Sequence, residues 1–341
     1  MTRGSIYYRP IPGRGPARPA QALTLAGGAC WFDHVERLGR DAAPVILPVT
    51  QVPAPVLARM TAPRAPVMGL ALDRPRIMGI VNVTPDSFSD GGRYDSDTAA
   101  LDHGRALASA GADLLDIGGE STRPGAAPVP TEAEIARTAP VIAGLRGLAP
   151  VSIDTRNAPV ARAAVAAGAG LINDVSGLEH DPAMAGLAAD LGVPVCIMHA
   201  QGTPETMQDD PRYDDVLLDI YDYLEAGIAR AEAAGIPRAA VLVDPGIGFG
   251  KTVQHNLDLL YRISLFHSLG CAILVGASRK RFIGSLTGTT QATDRVAGSV
   301  AVALAMAGQG VQVIRVHDVV ETHQALILDR AMTGGVDRVR N

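Results

Sequence analysis

Asn82, Asp154, Asn173, Asp244, Lys280, Arg315 and His317 each stand at the end of an apolar run, and their types sort into two chemistries. Asp154, Asn173 and Asp244 offer acceptors and an amide face suited to a flat heterocycle bearing N–H donors, and Lys280 can meet a ring carbonyl oxygen. Asn82, Arg315 and His317 supply neutral and cationic donors that suit a phosphate or diphosphate, with Arg315 adding planar, bidentate recognition. Magnesium follows from that second group, because it binds phosphate oxygens with one or two protein ligands and several waters; Asn82 and Asp86 are the candidates. The His and Cys spacings match no zinc site. Gly246-Ile-Gly-Phe-Gly-Lys-Thr252 imitates a nucleotide-binding phosphate loop, but the first glycine of that motif falls on Pro245 and the match fails. Residues 244–249 read instead as a tight strand-to-helix loop whose glycines allow close backbone approach to a ligand, with Phe249 as an apolar face.

Those residues need a scaffold that gathers them. Strand-like runs end near Asn82, Ile117, Asp154, Asn173, Met198, Asp244, Gly276 and Arg315, with amphipathic, Ala-rich segments between. Their spacing averages about 33 residues, the length of a βα unit. Eight such units predict an α/β protein, a (β/α)8 TIM barrel, with an open doubly wound sheet as the alternative that alternation alone leaves standing. Ligands meet such barrels at the carboxyl ends of the strands, so the polar residues converge on one mouth. Residues 213–234 predict a helix with Val216, Leu217, Ile220, Leu224 and Ile228 on one stripe.

Hydrophobic residues make up 47% of the chain and aromatics only 4%, a composition that suits tightly packed helices on a buried sheet. A net charge of −5 argues against a general polyanion binder, so phosphate chemistry must come from a local basic cluster. Cys30, Cys196 and Cys271 form no metal-like pair and are expected as buried free thiols, consistent with a reducing cytoplasm. Residues 1–65 are expected to be an N-terminal extension, residues 66–335 the barrel, and 336–341 a short tail. Within the extension, the proline- and arginine-rich residues 1–20 read as a tail. Asp33 reads as the cap of a short helix, residues 45–49 as a strand, 53–66 as too proline-broken for a long element, and 67–73 against 76–81 as a hairpin.

The motifs Asn82-Val-Thr-Pro-Asp-Ser-Phe88, Gly119-Glu-Ser-Thr-Arg-Pro-Gly125, Ser152-Ile-Asp-Thr155, Ile172-Asn-Asp174, Met198-His-Ala-Gln-Gly-Thr203, Asp244-Pro-Gly246, Ser278-Arg-Lys280 and Arg315-Val-His317 occur in that order. Together they resemble the dihydropteroate synthases of folate biosynthesis over about residues 70–335. The resemblance implies a TIM barrel that joins 6-hydroxymethyl-7,8-dihydropterin diphosphate to 4-aminobenzoate with magnesium, releasing pyrophosphate, and a cytoplasmic homodimer that needs neither nucleic acid nor membrane. It implies that Asp154, Asn173, Asp244 and Lys280 hold the pterin, that Met198 and Phe249 line its pocket, and that Asn82, Arg315 and His317 hold the diphosphate. Loops 84–94 and 122–130 would cover the pterin and build the aminobenzoate slot with Pro85, Phe88, Thr122, Arg123, Pro124 and Ser278. Asp154, Lys280, Arg315 and His317 are the expected catalytic group. A pterin-binding methyltransferase would share the Asp and Asn contacts but has no use for the diphosphate donors, and a catalytically idle paralogue would not need every position filled. Residues before about 66 lie outside the family's pattern.

Overall fold

The structure, a computed structural model, describes residues 5–83, 93–121, 129–202, 206–207 and 209–334. The first elements are β1 (Ile6–Pro10), β2 (Leu23–Thr24), β3 (Trp31–Phe32), β4 (His34–Gly39), β5 (Ala42–Pro48) and α1 (Ala54–Thr61). Strands and helices then alternate: β6 (Arg76–Asn82), α2 (Arg93–Ser109), β7 (Leu114–Gly118), α3 (Thr131–Leu145), β8 (Val151–Asp154), α4 (Ala158–Ala167), β9 (Leu171–Asp174) and α5 (Met184–Leu191). The second half holds β10 (Val195–Met198), α6 (Val216–Ala233), β11 (Val241–Asp244), α7 (Val253–Tyr261), β12 (Ala272–Val275), α8 (Arg281–Thr287), α9 (Val296–Gly308), β13 (Val313–Val316) and α10 (Val319–Met332). Strands β6 to β13 form a closed barrel in chain order, all in parallel, with β13 returning to β6.

Alternation along these short strands divides the core in two. Leu115, Ile117, Ile153, Ile172, Ile197, Val243, Ile273 and Ile314 pack outward in the cluster shared with the helices. Met78, Leu114, Leu171, Cys196, Leu242, Leu274 and Val313 form a separate inner cluster with Val67 and Leu72. Truncating a fully buried member such as Leu114 to alanine costs about 2–5 kcal/mol. Two residues further along the same strands, on the same inward parity, come Asp116, Asn173, Met198, Asp244, Gly276 and Arg315. The apolar layer is therefore a floor and the polar layer lies above it. On α6 the whole predicted stripe is buried, and Asp215 caps the helix by accepting from the backbone N–H of Leu217 and Leu218.

Three expectations for the N-terminal region need correction. Part of the predicted tail is a strand: β1 pairs antiparallel with β4, Tyr7 is buried, and its hydroxyl donates to Asp222 of α6 at 2.9 Å. The segment after Asp33 is strand, not helix, because β4 lies between β1 and β5 and satisfies its backbone on both edges. Residues 67–73 form no hairpin with β6, whose two edges are taken by β7 and β13. Instead Val67 and Leu70 bridge each other, with Met68 and Gly69 at φ 51° and 78°, and the turn closes the lower end of the barrel. Residues 45–48 are strand as expected, within β5, whereas Val49 already begins a 3-10 turn. Arg9 to Glu36 at 2.6 Å, Arg40 to Asp219 at 2.6 Å and Arg14 to Asp329 at 2.6 Å tie this region to its own sheet and to the barrel helices. All three cysteines are buried and unpaired.

Candidate active site

The upper inner layer gathers the residues that the sequence singled out. Arg315 on β13 crosses the barrel interior: its Nε donates to Asp116 Oδ2 on β7 at 2.5 Å and its Nη2 to Asp154 Oδ2 on β8 at 2.8 Å. Asn173 on β9 donates from Nδ2 to the same Asp116 oxygen at 3.0 Å, and Ser152 Oγ donates to Asp116 Oδ1. Asp244 ends β11, where its Oδ1 accepts from the Gly246 backbone N–H at 2.7 Å. Met198, its register partner on β10, is buried beside it. Lys280 donates to the Ile247 carbonyl and lies over the Phe249 ring, 4.4 Å from its centroid. Ser278 Oγ accepts from the His317 backbone N–H at 3.2 Å and lies 3.1 Å from His317 Nδ1. Thus Asp154, Asn173 and Arg315 form one network, Lys280 and Phe249 a second contact, and Ser278 and His317 a third, all at the carboxyl ends of the strands. Pro85, Asp86, Phe88, Thr122, Arg123 and Pro124 lie outside the described residues.

Enclosure makes these charges responsive. Burial pushes the Asp154 carboxyl up to about 7, with Arg315 pulling down and Asp116 pushing further up. Burial likewise raises Asp244, against the pull of Lys280, and brings Lys280 down to about 8. For Arg315, burial works against the charge, but Asp116 and Asp154 outweigh it and raise its pKa.

Of the two residues expected to hold magnesium, Asn82 is described and offers a neutral oxygen of the kind that ion takes. A Cβ at Gly118 would lie 3.7 Å from Asn82 Oδ1 and 3.6 Å from Asp154 Cβ, so the glycine keeps the space between a neutral oxygen donor and a carboxylate open. Among the described residues no group of three His, Cys, Asp or Glu side chains is arranged to hold a metal.

Sequence reasoning missed three supports. Asp116 was passed over inside the run Leu114–Gly118, although its inward parity with Leu114 marks it. Arg279 has φ 59°, a left-handed conformation that a non-glycine residue adopts only when held. Its N–H donates to Ser299 Oγ at 2.9 Å, its carbonyl accepts from Arg295 at 2.9 Å, and its guanidinium pairs with Asp318. Ser278 and Lys280 on either side are thereby fixed. Lys251, from the rejected phosphate-loop match, is buried and turned into its own loop, donating to the Phe249 carbonyl at 2.8 Å and lying 3.0 Å from His199 Nδ1.

The family of pterin binding enzymes matches residues 78–317. The chain is 47% identical over 259 residues to dihydropteroate synthase of Escherichia coli strain K12, covering 75% of this chain and 91% of that one. It is 48% identical over 263 residues to dihydropteroate synthase of Neisseria meningitidis serogroup B, covering 75% and 92%. Among solved structures it resembles Xanthomonas albilineans dihydropteroate synthase with 4-aminobenzoic acid, at TM-score 0.75 and 50% identity over 81% of this chain and 99% of the other. The same enzyme in complex with 7,8-dihydropteroate matches at TM-score 0.71 and 48% identity, over 79% and 97%. A closed eight-stranded barrel, a family match that spans residues 78–317 and relatives of this similarity lead to one assignment: the chain belongs to the pterin-binding enzymes and, among them, to the dihydropteroate synthases of folate biosynthesis.

Proposed function

We propose that the barrel mouth condenses 6-hydroxymethyl-7,8-dihydropterin diphosphate with 4-aminobenzoate by a dissociative displacement, in which pyrophosphate leaves well before the new C–N bond is complete. The observation that carries this reading is the Arg315 guanidinium spanning Asp116 and Asp154 at the top of the barrel. The aminobenzoate amine is a weak nucleophile because its lone pair is delocalised into the ring, so stabilising C–O cleavage is the more effective route. The cation left on the pterin methylene is conjugated with the ring, and ionised Asp154 stabilises it from a fixed position. Pterin N–H donors take the place of Arg315 on Asp154, and Asn173 and Asp244 hold the rest of the ring edge. Arg315 Nη2 is then released toward the departing pyrophosphate, where His317 is a second donor. Lys280 meets the ring carbonyl, and its pKa of about 8 keeps it mostly charged at neutral pH. Met198 and Phe249 line the ring pocket, and Ser278 faces the aminobenzoate. Asn82 and Asp86 would hold magnesium, which would supply neutralisation of the pyrophosphate charge.

The exposed apolar side chains Ile327, Leu328 and Met332 on α10 support a homodimer, and three free thiols support a cytoplasmic setting. Among the described residues no helix is long and apolar enough to cross a membrane. The direct experiment supplies both substrates and magnesium to purified protein and follows pyrophosphate and dihydropteroate together. Equal yields that depend on both substrates are expected. Pyrophosphate release with no aminobenzoate incorporated would sink the reading.

A further inference from the structure

We propose that Asp116 is a positioning residue for pterin binding: out of the substrate's reach, it fixes which end of the Asn173 amide and which edge of the Arg315 guanidinium face the ligand. Asp116 is 0% exposed, and its carboxylate already accepts from three donors, Ser152 Oγ, Asn173 Nδ2 and Arg315 Nε. Enclosed in this way, it presents no face to substrate. What it can do is remove ambiguity. An asparagine amide presents a donor or an acceptor depending on a half-turn of its last torsion. With Nδ2 committed to a carboxylate at 3.0 Å, the flipped state would set Oδ1 lone pairs against a negative charge. The amide oxygen is therefore the end left for a heterocycle's N–H. The same carboxylate grips Arg315 through Nε at 2.5 Å, so the guanidinium plane stays fixed when ligand displaces Nη2 from Asp154. One anchor thus holds both a ring contact and the diphosphate cation, from strands two apart on either side of β7.

The inference rests on Asn173 and Arg315 holding the pterin, and the test separates the two. Calorimetric titration with 6-hydroxymethylpterin, which lacks a leaving group, is run on wild type, Asn173→Ala, Arg315→Ala, Asp116→Ala, Asp116→Asn and the double variant Asp116→Ala with Asn173→Ala. Asp116→Ala should weaken pterin binding at least tenfold, about 1.4 kcal/mol, while the KM for aminobenzoate stays within about twofold. Asp116→Asn keeps an acceptor for Asn173 and Arg315 and an N–H for Ser152 Oγ, so it should stay within about threefold of wild type. In the Asn173→Ala background the Asp116→Ala effect should fall to less than half on the logarithmic scale, since part of the role passes through Asn173. A purely structural residue would lower the folded fraction without that coupling. Unchanged binding in Asn173→Ala and Arg315→Ala would overturn the pocket assignment and this inference with it. Loss in those two with additive effects at Asp116, or equal loss for both substrates, would overturn the inference alone. Should Asp116→Ala not accumulate as folded protein, Asp116→Asn decides: retained binding supports positioning, and a loss beyond tenfold in a folded variant refutes it in favour of charge.

Discussion

The pH dependence of turnover follows from the environment of Asp154. Its carboxyl is pushed from 3.8 to about 7, first by burial and then by Asp116, Glu134 and Asp174, with Arg315 as the opposing pull. If the ionised form stabilises the pterin cation, kcat/KM for the pterin diphosphate should fall about tenfold per pH unit below pH 7, since only about one-tenth of the carboxyl is ionised one unit below its pKa. On the alkaline side Lys280 loses its proton near 8, giving a narrow bell with limbs at about 7 and about 8. Asp154→Asn removes the charge while keeping the shape, so the acid limb should flatten and the plateau drop by ~10²–10³. Binding of a nonreactive pterin should weaken much less, because the lost interaction grows with the cation and is small in the ground state. The stability sign is opposite to that of an ordinary salt-bridged acid. A folded pKa above the unfolded one gives stability that is fully present below about 4 and is lost as pH rises through about 7. Initial rates from pH 5.5 to 9 at constant ionic strength, for wild type and Asp154→Asn, are the assay. An acid limb that persists unchanged in Asp154→Asn would refute the argument.

Arg315→Ala should abolish turnover to a greater degree than His317→Ala, because Arg315 serves both ring and pyrophosphate; near wild-type rates in both would misplace the mouth. Deleting residues 1–20 removes β1, exposing the Tyr7 site (~2–3 kcal/mol of burial) and leaving Glu36 with Arg262 alone at 3.4 Å. Melting should drop by several degrees, with both substrate KM values within about twofold; an unchanged melting point would refute the packing. Asp318→Ala strands the Arg279 guanidinium beside a left-handed backbone and should cost about 2–4 kcal/mol in urea unfolding, with kcat/KM reduced because Ser278 and Lys280 shift. Chelation should stop turnover, and added magnesium should restore it; activity that survives exhaustive chelation would dismiss the ion.

The barrel was legible because its strands are short apolar runs at a regular spacing. The predicted ends at Asn82, Asp154, Met198 and Asp244 coincide with the observed ones. Inward polar residues such as Asn173 and Arg315 stood out because an apolar strand gives no packing reason for them. Asp116 escaped because it sits mid-strand, and only parity with Leu114 and Gly118 reveals its direction. The N-terminal strands escaped for another reason. β1 ends in Pro10, β2 and β3 have two residues each, and their partners are set by pairing over distance, which local propensity does not encode. Arg279 and Asp318 were visible as charges but not as a pair, since they join two different loops.

The N-terminal strands also impose a timetable on synthesis. Tyr7 finds Asp222 215 residues later, Arg9 finds Ser264 255 residues later, and Arg14 finds Asp329 315 residues later. At about 5–20 residues per second, this segment, which leaves the ribosome before the barrel, waits roughly 15–60 seconds for its last partner. Through that interval Tyr7 has no docking surface, and the apolar edge strand β5, with Val45 and Ile46 exposed even in the finished fold, has no barrel beside it. Pro44 and Pro48 on that edge remove two N–H donors from the row that a neighbouring nascent chain would pair with. The prolines that break local patterns in this region therefore protect the chain before it is complete.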